Sequence, residues 1–207
     1  MIVLFDLFGV IARVQSPAGL AGVEAVAGVT DRKVTDRERF WTVYWQCRPD
    51  YDAGSVDAAG YWAEVGRQLG RHYSPEHAAR LLAADMASWE AIDTDMVAYL
   101  HQLLDAGHTL ALLSNIPREL ADHMSRQPWM SVFSVVGFSC RIGAIKPNPA
   151  AFRWCLDQLG VAADQVFFVD DSPANVEGAR AVGLRGHVFT DLPTLKAELS
   201  DLGGPLV

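Results

Sequence analysis

The chain has 207 residues, half of them hydrophobic and a fifth charged, which excludes a disordered or fibrous protein and is enough for one core plus an insertion. Its formal net charge of −8 comes with no cluster of Lys and Arg, so neither nucleic acid nor an anionic membrane surface is an expected partner. There is no run of the ~18 apolar residues that a spanning helix needs and no basic, cleavable leader, and Cys47, Cys140 and Cys155 are too widely spaced for a disulfide framework or a metal pair, so free thiols and a cytoplasmic location are expected.

Ile2-Val3-Leu4-Phe5 is a short, wholly apolar run ending at Asp6, the pattern of a strand buried on both faces. Residues 14–94 carry no such run. Thr35 and Glu38 have capping-box spacing ahead of Phe40, Trp41, Tyr44 and Trp45. Ser55 can cap a helix carrying Tyr61, Trp62, Val65 and Leu69, and Ser74-Pro75 opens another with Ala78, Leu81, Leu82 and Met86. The stretch reads as a helical insertion packed as a small bundle. Apolar residues at 96, 97, 100, 103 and 104 predict a helix over 95–106, stopped by Gly107. Strands are predicted at 110–113, 135–138 and 166–169, with a weaker one at 186–189. Between them Asn148-Pro149 opens a helix to Leu159 that stops at Gly160, and Ser172-Pro173 opens one that stops at Gly183. This alternation predicts a parallel α/β sheet with helices on both faces.

In such a sheet, ligands bind beyond the carboxyl ends of the strands. Asp6 follows the first predicted strand, Ser114-Asn115 the second and Asp170-Asp171 the fourth, and Lys146 stands in Ile145-Lys146-Pro147-Asn148 just ahead of a helix. A parallel sheet brings all four clusters to one rim. Three carboxylates gathered there cannot all stay ionised without a counterion. Oxygen ligands with no His or Cys nearby favour Mg²⁺. A cation, Lys146 and the Ser114 hydroxyl around one cavity suit a phosphoryl group, with Asp6 free to attack phosphorus.

Each cluster taken alone has a plainer reading. Asp6 and Ser114-Asn115 are ordinary turn residues, Lys146 a solvated loop lysine, and Asp171 a helix cap. Ser172 is the more natural cap for the helix at Pro173, which leaves Asp171 free. Asn175 is either a first-turn helix residue or a group that orients a ligand. Trp41, Tyr44 and Trp45 share one helix face; bundle packing accounts for them, and a wall on which a substrate ring or sugar stacks is the alternative.

The set Asp6-Leu7-Phe8-Gly9-Val10, Leu113-Ser114-Asn115, Lys146-Pro147 and Val169-Asp170-Asp171-Ser172 resembles, in order and spacing, the four motifs of the haloacid dehalogenase superfamily. The helical stretch between the first two motifs resembles its subfamily I, and the resemblance covers essentially the whole chain. It implies a Rossmann-like parallel core at 1–13 and 95–207 with an inserted helical cap at 14–94. It implies that Asp6 is nucleophile and metal ligand, and that Ser114 holds the phosphate with help from the backbone at Asn115. By the same resemblance, Lys146 neutralises charge on the nucleophile and the transferring group, and Asp170, Asp171 and the main-chain carbonyl of Phe8 bind Mg²⁺.

One position departs from the pattern. Family phosphatases usually carry a second aspartate where this chain has Phe8; it protonates the leaving oxygen and then activates water, and Phe8 can do neither. The family's dehalogenases carry an aromatic residue there, since a halide leaves unprotonated. They resemble Ser-Ser-Asn at the fourth motif, however, where this chain keeps an acidic pair. The expectation is a Mg²⁺-dependent phosphatase of small phosphorylated metabolites, such as sugar phosphates, acting through an aspartyl-phosphate. The alternatives are a halide-displacing hydrolase that uses Asp6 on carbon, and a binding or scaffold protein that has lost turnover through Phe8. A small phosphate ester is the expected partner; substrate identity and oligomeric state are not legible in the residues.

Overall fold

The computed structural model describes residues 1–29 and 34–201. Strand β1 (Ile2–Phe5) is followed by four helices, α1 (Pro17–Ala27), α2 (Val34–Asp52), α3 (Ala58–Leu69) and α4 (Pro75–Ser88). Helix and strand then alternate: α5 (Thr94–Asp105), β2 (Thr109–Ser114), α6 (Arg118–Met124), β3 (Phe133–Phe138), α7 (Ser139–Ile142), α8 (Pro149–Leu159), β4 (Val166–Asp170), α9 (Pro173–Ala181), β5 (Arg185–Val188) and α10 (Leu192–Asp201). The strands form one parallel sheet in the order β3-β2-β1-β4-β5.

The central strand shows why an unbroken apolar run is needed. Val3 and Phe5 join Leu110, Leu112, Phe167 and Val169 in the core on one face; Leu4 joins Ala111, Leu113, Val166 and Phe168 on the other. Successive side chains point to opposite faces, and helices cover both. Burial contributes about 1.5–3 kcal/mol for each of Val3, Leu4 and Phe5, which holds a strand of only 4 residues at the middle of the sheet.

Most helix starts follow the capping chemistry. Ser74 accepts from the His77 N–H at the head of α4, and Asn148 accepts from the Ala150 N–H at the head of α8, which Gly160 closes at φ 67. Two expected caps differ, and at the first a carboxylate is the stronger acceptor. The cap of α3 is Asp57, which accepts from the Gly60 N–H, while Ser55 Oγ donates to the Asp50 carbonyl at 3.1 Å. Ser172 sits at the N-cap of α9 without a side-chain cap bond, and its own N–H donates to Asp170 Oδ1 at 2.8 Å. The capping box expected at Thr35 and Glu38 involves a side chain outside the described residues.

Helices α1 to α4 pack on one another around a core of their own, which includes Phe40, Tyr44, Tyr61, Trp62, Val65 and Leu81. Two hydrogen bonds tie the end of α2 to the sheet layer: Tyr51 Oη donates to Glu119 Oε2 at 2.8 Å, and Ser139 Oγ donates to the Asp52 carbonyl at 2.6 Å. The last turns of α2 are thereby fixed close to the strand ends. All three cysteines are free, and among the described residues no helix is long and apolar enough to cross a membrane.

Candidate active site

Sheet register brings the polar clusters level. Phe5 stands opposite Leu112 on one side and Val169 on the other, so Asp6 and Asp170 emerge side by side, with the Asp6 N–H donating to the Val169 carbonyl at 2.8 Å. Lys146, from the loop ahead of α8, is 2% exposed, and its Nζ lies 2.7 Å from Asp6 Oδ1 and 2.6 Å from Asp170 Oδ2. Asn115 anchors that loop. Its Nδ2 donates to the Lys146 carbonyl at 2.9 Å, and its Oδ1 accepts from the Lys146 N–H at 2.8 Å. The Asn115 side chain is therefore committed to the lysine's backbone.

Asp6 Oδ1 also accepts from the Leu7 N–H at 2.7 Å; among the described residues no hydrogen bond reaches its Oδ2. Asp170 is fully buried, and Asn175 Nδ2 lies 3.1 Å from each of its oxygens, so Asn175 orients this carboxylate. Asp171 is exposed, yet Asp6, Asp170 and Asp171 can each offer an oxygen within 4.8 Å of the others. Gly9 makes that approach possible. Its φ is +83, and a Cβ there would stand 2.1 Å from Asp171 Oδ2, so any other residue would push the carboxylate aside.

Two buried carboxylates share one ammonium. Burial pushes the Asp6 carboxyl up to about 7, with Lys146 opposing and Asp170 reinforcing the shift. Burial, and then Asp170, raise Asp171 as well. Burial alone would lower Lys146, but Asp6 and Asp170 together hold it above its ordinary value. With both carboxylates ionised the interior carries more negative charge than Lys146 balances, and Asp171 adds to it at the rim. A hard divalent cation on oxygen ligands fits this donor set. Ser114 Oγ is fully buried and has no hydrogen-bond partner among the described residues. A buried hydroxyl left so costs about 1–3 kcal/mol, which a polar ligand at the site would recover.

A chamber of about 290 Å³ is lined by Asp6, Phe8 and Lys146 from the sheet layer and by Trp45, Arg48 and Asp52 from α2. Arg48 and Asp52 escape the motif reading; their i,i+4 spacing was the available signal. Arg48 Nε donates to Asp52 Oδ1 at 2.7 Å, and its Nη1 to Tyr44 Oη and, at 3.4 Å, to Asp85 Oδ2. Tyr44 Oη donates to Asp85 Oδ1 at 2.6 Å. The arginine's charge is balanced by two carboxylates and is not free for an anion.

Burial raises both Asp52 and Asp85. Arg48→Met strands this pair and is expected to lower stability by about 3–5 kcal/mol at pH 8. The loss should be smaller at pH 5. A carboxyl whose folded pKa lies above its unfolded one favours the folded state while protonated, and that advantage disappears as pH rises through the folded value. Denaturant unfolding at the two pH values reads the difference; equal losses would mean that Arg48 acts by packing alone.

Comparison with known proteins adds the family. Residues 1–183 match the haloacid dehalogenase-like hydrolases. A phosphoglycolate phosphatase of Aliivibrio fischeri is 33% identical over 97 residues, 46% of this chain and 43% of that protein, so the chain spans under half of that relative. A sesquiterpene phosphatase of Aspergillus oryzae is 24% identical over 180 residues, covering 85% of this chain and 89% of that one. A HAD family enzyme of Bacteroides thetaiotaomicron, solved in complex with magnesium and inorganic phosphate, shares the fold with a TM-score of 0.73 at 18% identity, over 94% of this chain and 98% of that one. Matched over most of its length, the chain belongs to the haloacid dehalogenase-like hydrolase family.

Proposed function

We propose that the protein is a Mg²⁺-dependent phosphatase of small phosphorylated metabolites, with Asp6 as nucleophile. The observation that carries this is Lys146 Nζ set between Asp6 Oδ1 and Asp170 Oδ2, with a third carboxylate, Asp171, alongside. Two adjacent acidic residues at the end of β4 serve a cation and have no task in halide displacement. Relatives named for phosphoglycolate and sesquiterpene phosphatase activity, and a fold relative that holds magnesium and phosphate, support the same chemistry.

Asp6, Asp170, Asp171 and the main-chain carbonyl of Phe8 would hold the cation, which when bound offsets the carboxylates and draws charge from a phosphoryl oxygen. Lys146 stabilises the charge that develops on the transferring group. Ser114 Oγ donates to a phosphate oxygen, the Asn115 backbone assists, and the Asn115 side chain keeps Lys146 in place. Asp6 Oδ2 attacks phosphorus, the bond from phosphorus to the ester oxygen breaks, and that oxygen leaves as an alkoxide that takes its proton from water. Water then cleaves the aspartyl-phosphate, releasing inorganic phosphate and restoring Asp6. Residues 1–13 and 95–207 form the catalytic core in this reading and 14–94 its cap, supported by the separate hydrophobic core of α1 to α4.

Release of inorganic phosphate from p-nitrophenyl phosphate, with and without Mg²⁺, is the direct test. Failure across a broad panel of esters ends the reading, and halide release from a short 2-chloro acid without added metal replaces it. Binding of Mg²⁺ to the folded state only is worth about 2.7 kcal/mol at a hundredfold excess over Kd. For a chain of this size that is a rise in Tm of about 5–10 °C. The double change Asp170→Asn with Asp171→Asn is expected to abolish the rise. If the rise survives, the ligands lie elsewhere.

A further inference from the structure

Beside the chamber that holds Asp6 lies a larger cavity of about 770 Å³, walled by Phe8, Val14, Leu20, Trp41, Trp45 and Trp89. Phe8, Trp45 and Trp89 line both spaces, so the two adjoin at these rings, and Asp171 of the carboxylate cluster lines the larger one. The ring of Phe8 lies 4.8 Å from that of Trp89, and the ring of Trp45 lies 6.2 Å from it, centre to centre. Its volume is in the range of about 300–1,000 Å³ typical of organic-ligand sites.

Val14, 60% exposed, and Trp45, 49% exposed, are the two most exposed large hydrophobic side chains among the described residues, and both line this cavity. Apolar surface left open to water in one concave place marks a binding site. Several polar groups of the wall are already paired. Gln15 Nε2 donates to Ser88 Oγ, and Trp41 Nε1 and Arg37 Nε both donate to Glu24 Oε1, each at 2.6 Å. Trp89 Nε1 is buried without a partner, and Glu38 and Asp171 are exposed carboxylates. A polyhydroxylated alcohol carries more hydroxyls than Glu38, Asp171 and Trp89 Nε1 can serve, and those desolvated against the rings, Val14 and Leu20 would go unpaired. Phe8, at the junction of the two spaces, offers no proton to a departing alkoxide.

We infer that this cavity receives the alcohol half of the substrate, and that this half is an apolar, ring-bearing group and not a sugar. The inference rests on the phosphatase reading for its reaction but on the cavity for its ligand, and the two can fail separately. The first measurement is kcat/KM for 2-naphthylmethyl phosphate against ethyl phosphate. Both leave as alkoxides, so their ratio reads the cavity and not the leaving group. A ratio of about 10² or more is expected. Trp45→Ala, at an exposed position, should cut that ratio by about tenfold or more.

The second measurement needs no turnover: calorimetric binding of 2-naphthylmethylphosphonate against ethylphosphonate, with the naphthyl compound about 10²-fold tighter. Ratios near one in both measurements, or a kcat/KM for glucose 6-phosphate above that for the naphthylmethyl ester, overturn the inference. A naphthyl preference in binding with neither ester hydrolysed supports the apolar site and removes the phosphatase reading.

Discussion

Asp6→Asn is expected to lower the turnover of every phosphate ester by more than about 10³-fold while the protein stays folded. An amide cannot attack phosphorus, yet it keeps the geometry. Its oxygen can still accept from the Leu7 N–H and from Lys146 Nζ, the two groups that hold Asp6 Oδ1 at 2.7 Å. The change also removes one negative charge from an interior where Asp6 and Asp170 share a single Lys146. Burial first, and then the charge of Asp170, make that charge costly, and the Asp6 carboxyl is pushed up to about 7. Without added metal and above pH 7, the thermal stability of the variant should therefore equal or exceed that of the wild type. Initial rates on p-nitrophenyl phosphate together with a melting curve in chelator test both halves. A variant that keeps more than a few per cent of the wild-type rate removes Asp6 from the role of nucleophile. A variant that melts well below the wild type means that the charge was compensated after all.

The strands were legible because burial on both faces leaves little freedom of composition. Val3, Leu4 and Phe5 must all be apolar when alternate side chains enter two separate cores, and such runs stand out from amphipathic helices. Helix ends were legible where the cap chemistry was local, as at Asn148 and Gly160. At α3 a nearby carboxylate competed, and Asp57 caps the helix in place of Ser55. Which of two neighbouring acceptors caps a helix depends on where the chain enters it, and composition does not carry that.

The rim of the site was legible for a topological reason. Parallel strands end at one edge, so residues distant in sequence but each at a strand end must meet, as Asp6 and Asp170 do, and the loop ahead of α8 brings Lys146 to them. What lies across from that rim was not legible. Tyr44 and Trp45 are adjacent and equally aromatic, but Tyr44 is buried in the helical bundle and Trp45 faces a cavity. Their fates depend on how far α2 is rotated about its axis, which its partners α3 and α7 decide. The buried Arg48–Asp85 contact is hidden for the same reason, since the two residues sit on different helices 37 positions apart.

Phe8→Asp is expected to raise the rate on ethyl phosphate by up to about 10²–10⁴-fold and to change the rate on p-nitrophenyl phosphate little. An alkoxide needs a proton as it leaves and a nitrophenolate does not, so a carboxyl two residues after Asp6 helps the first and not the second. The exchange also removes a ring that lies 4.8 Å from Trp89 and lines both the Asp6 chamber and the aromatic cavity. The preference for a naphthylmethyl over an ethyl ester should therefore shrink even as the ethyl ester itself improves. A fourth carboxylate at the rim adds to the negative charge that Lys146 leaves unbalanced, so the variant should depend more strongly on Mg²⁺ than the wild type does. Rates for the two proteins on one alkyl and one aryl ester, each across a Mg²⁺ titration, separate these effects. Equal gains on both esters, or equal losses with the fold intact, would mean that Phe8 shapes the cavity wall and that the proton for the leaving group comes from elsewhere.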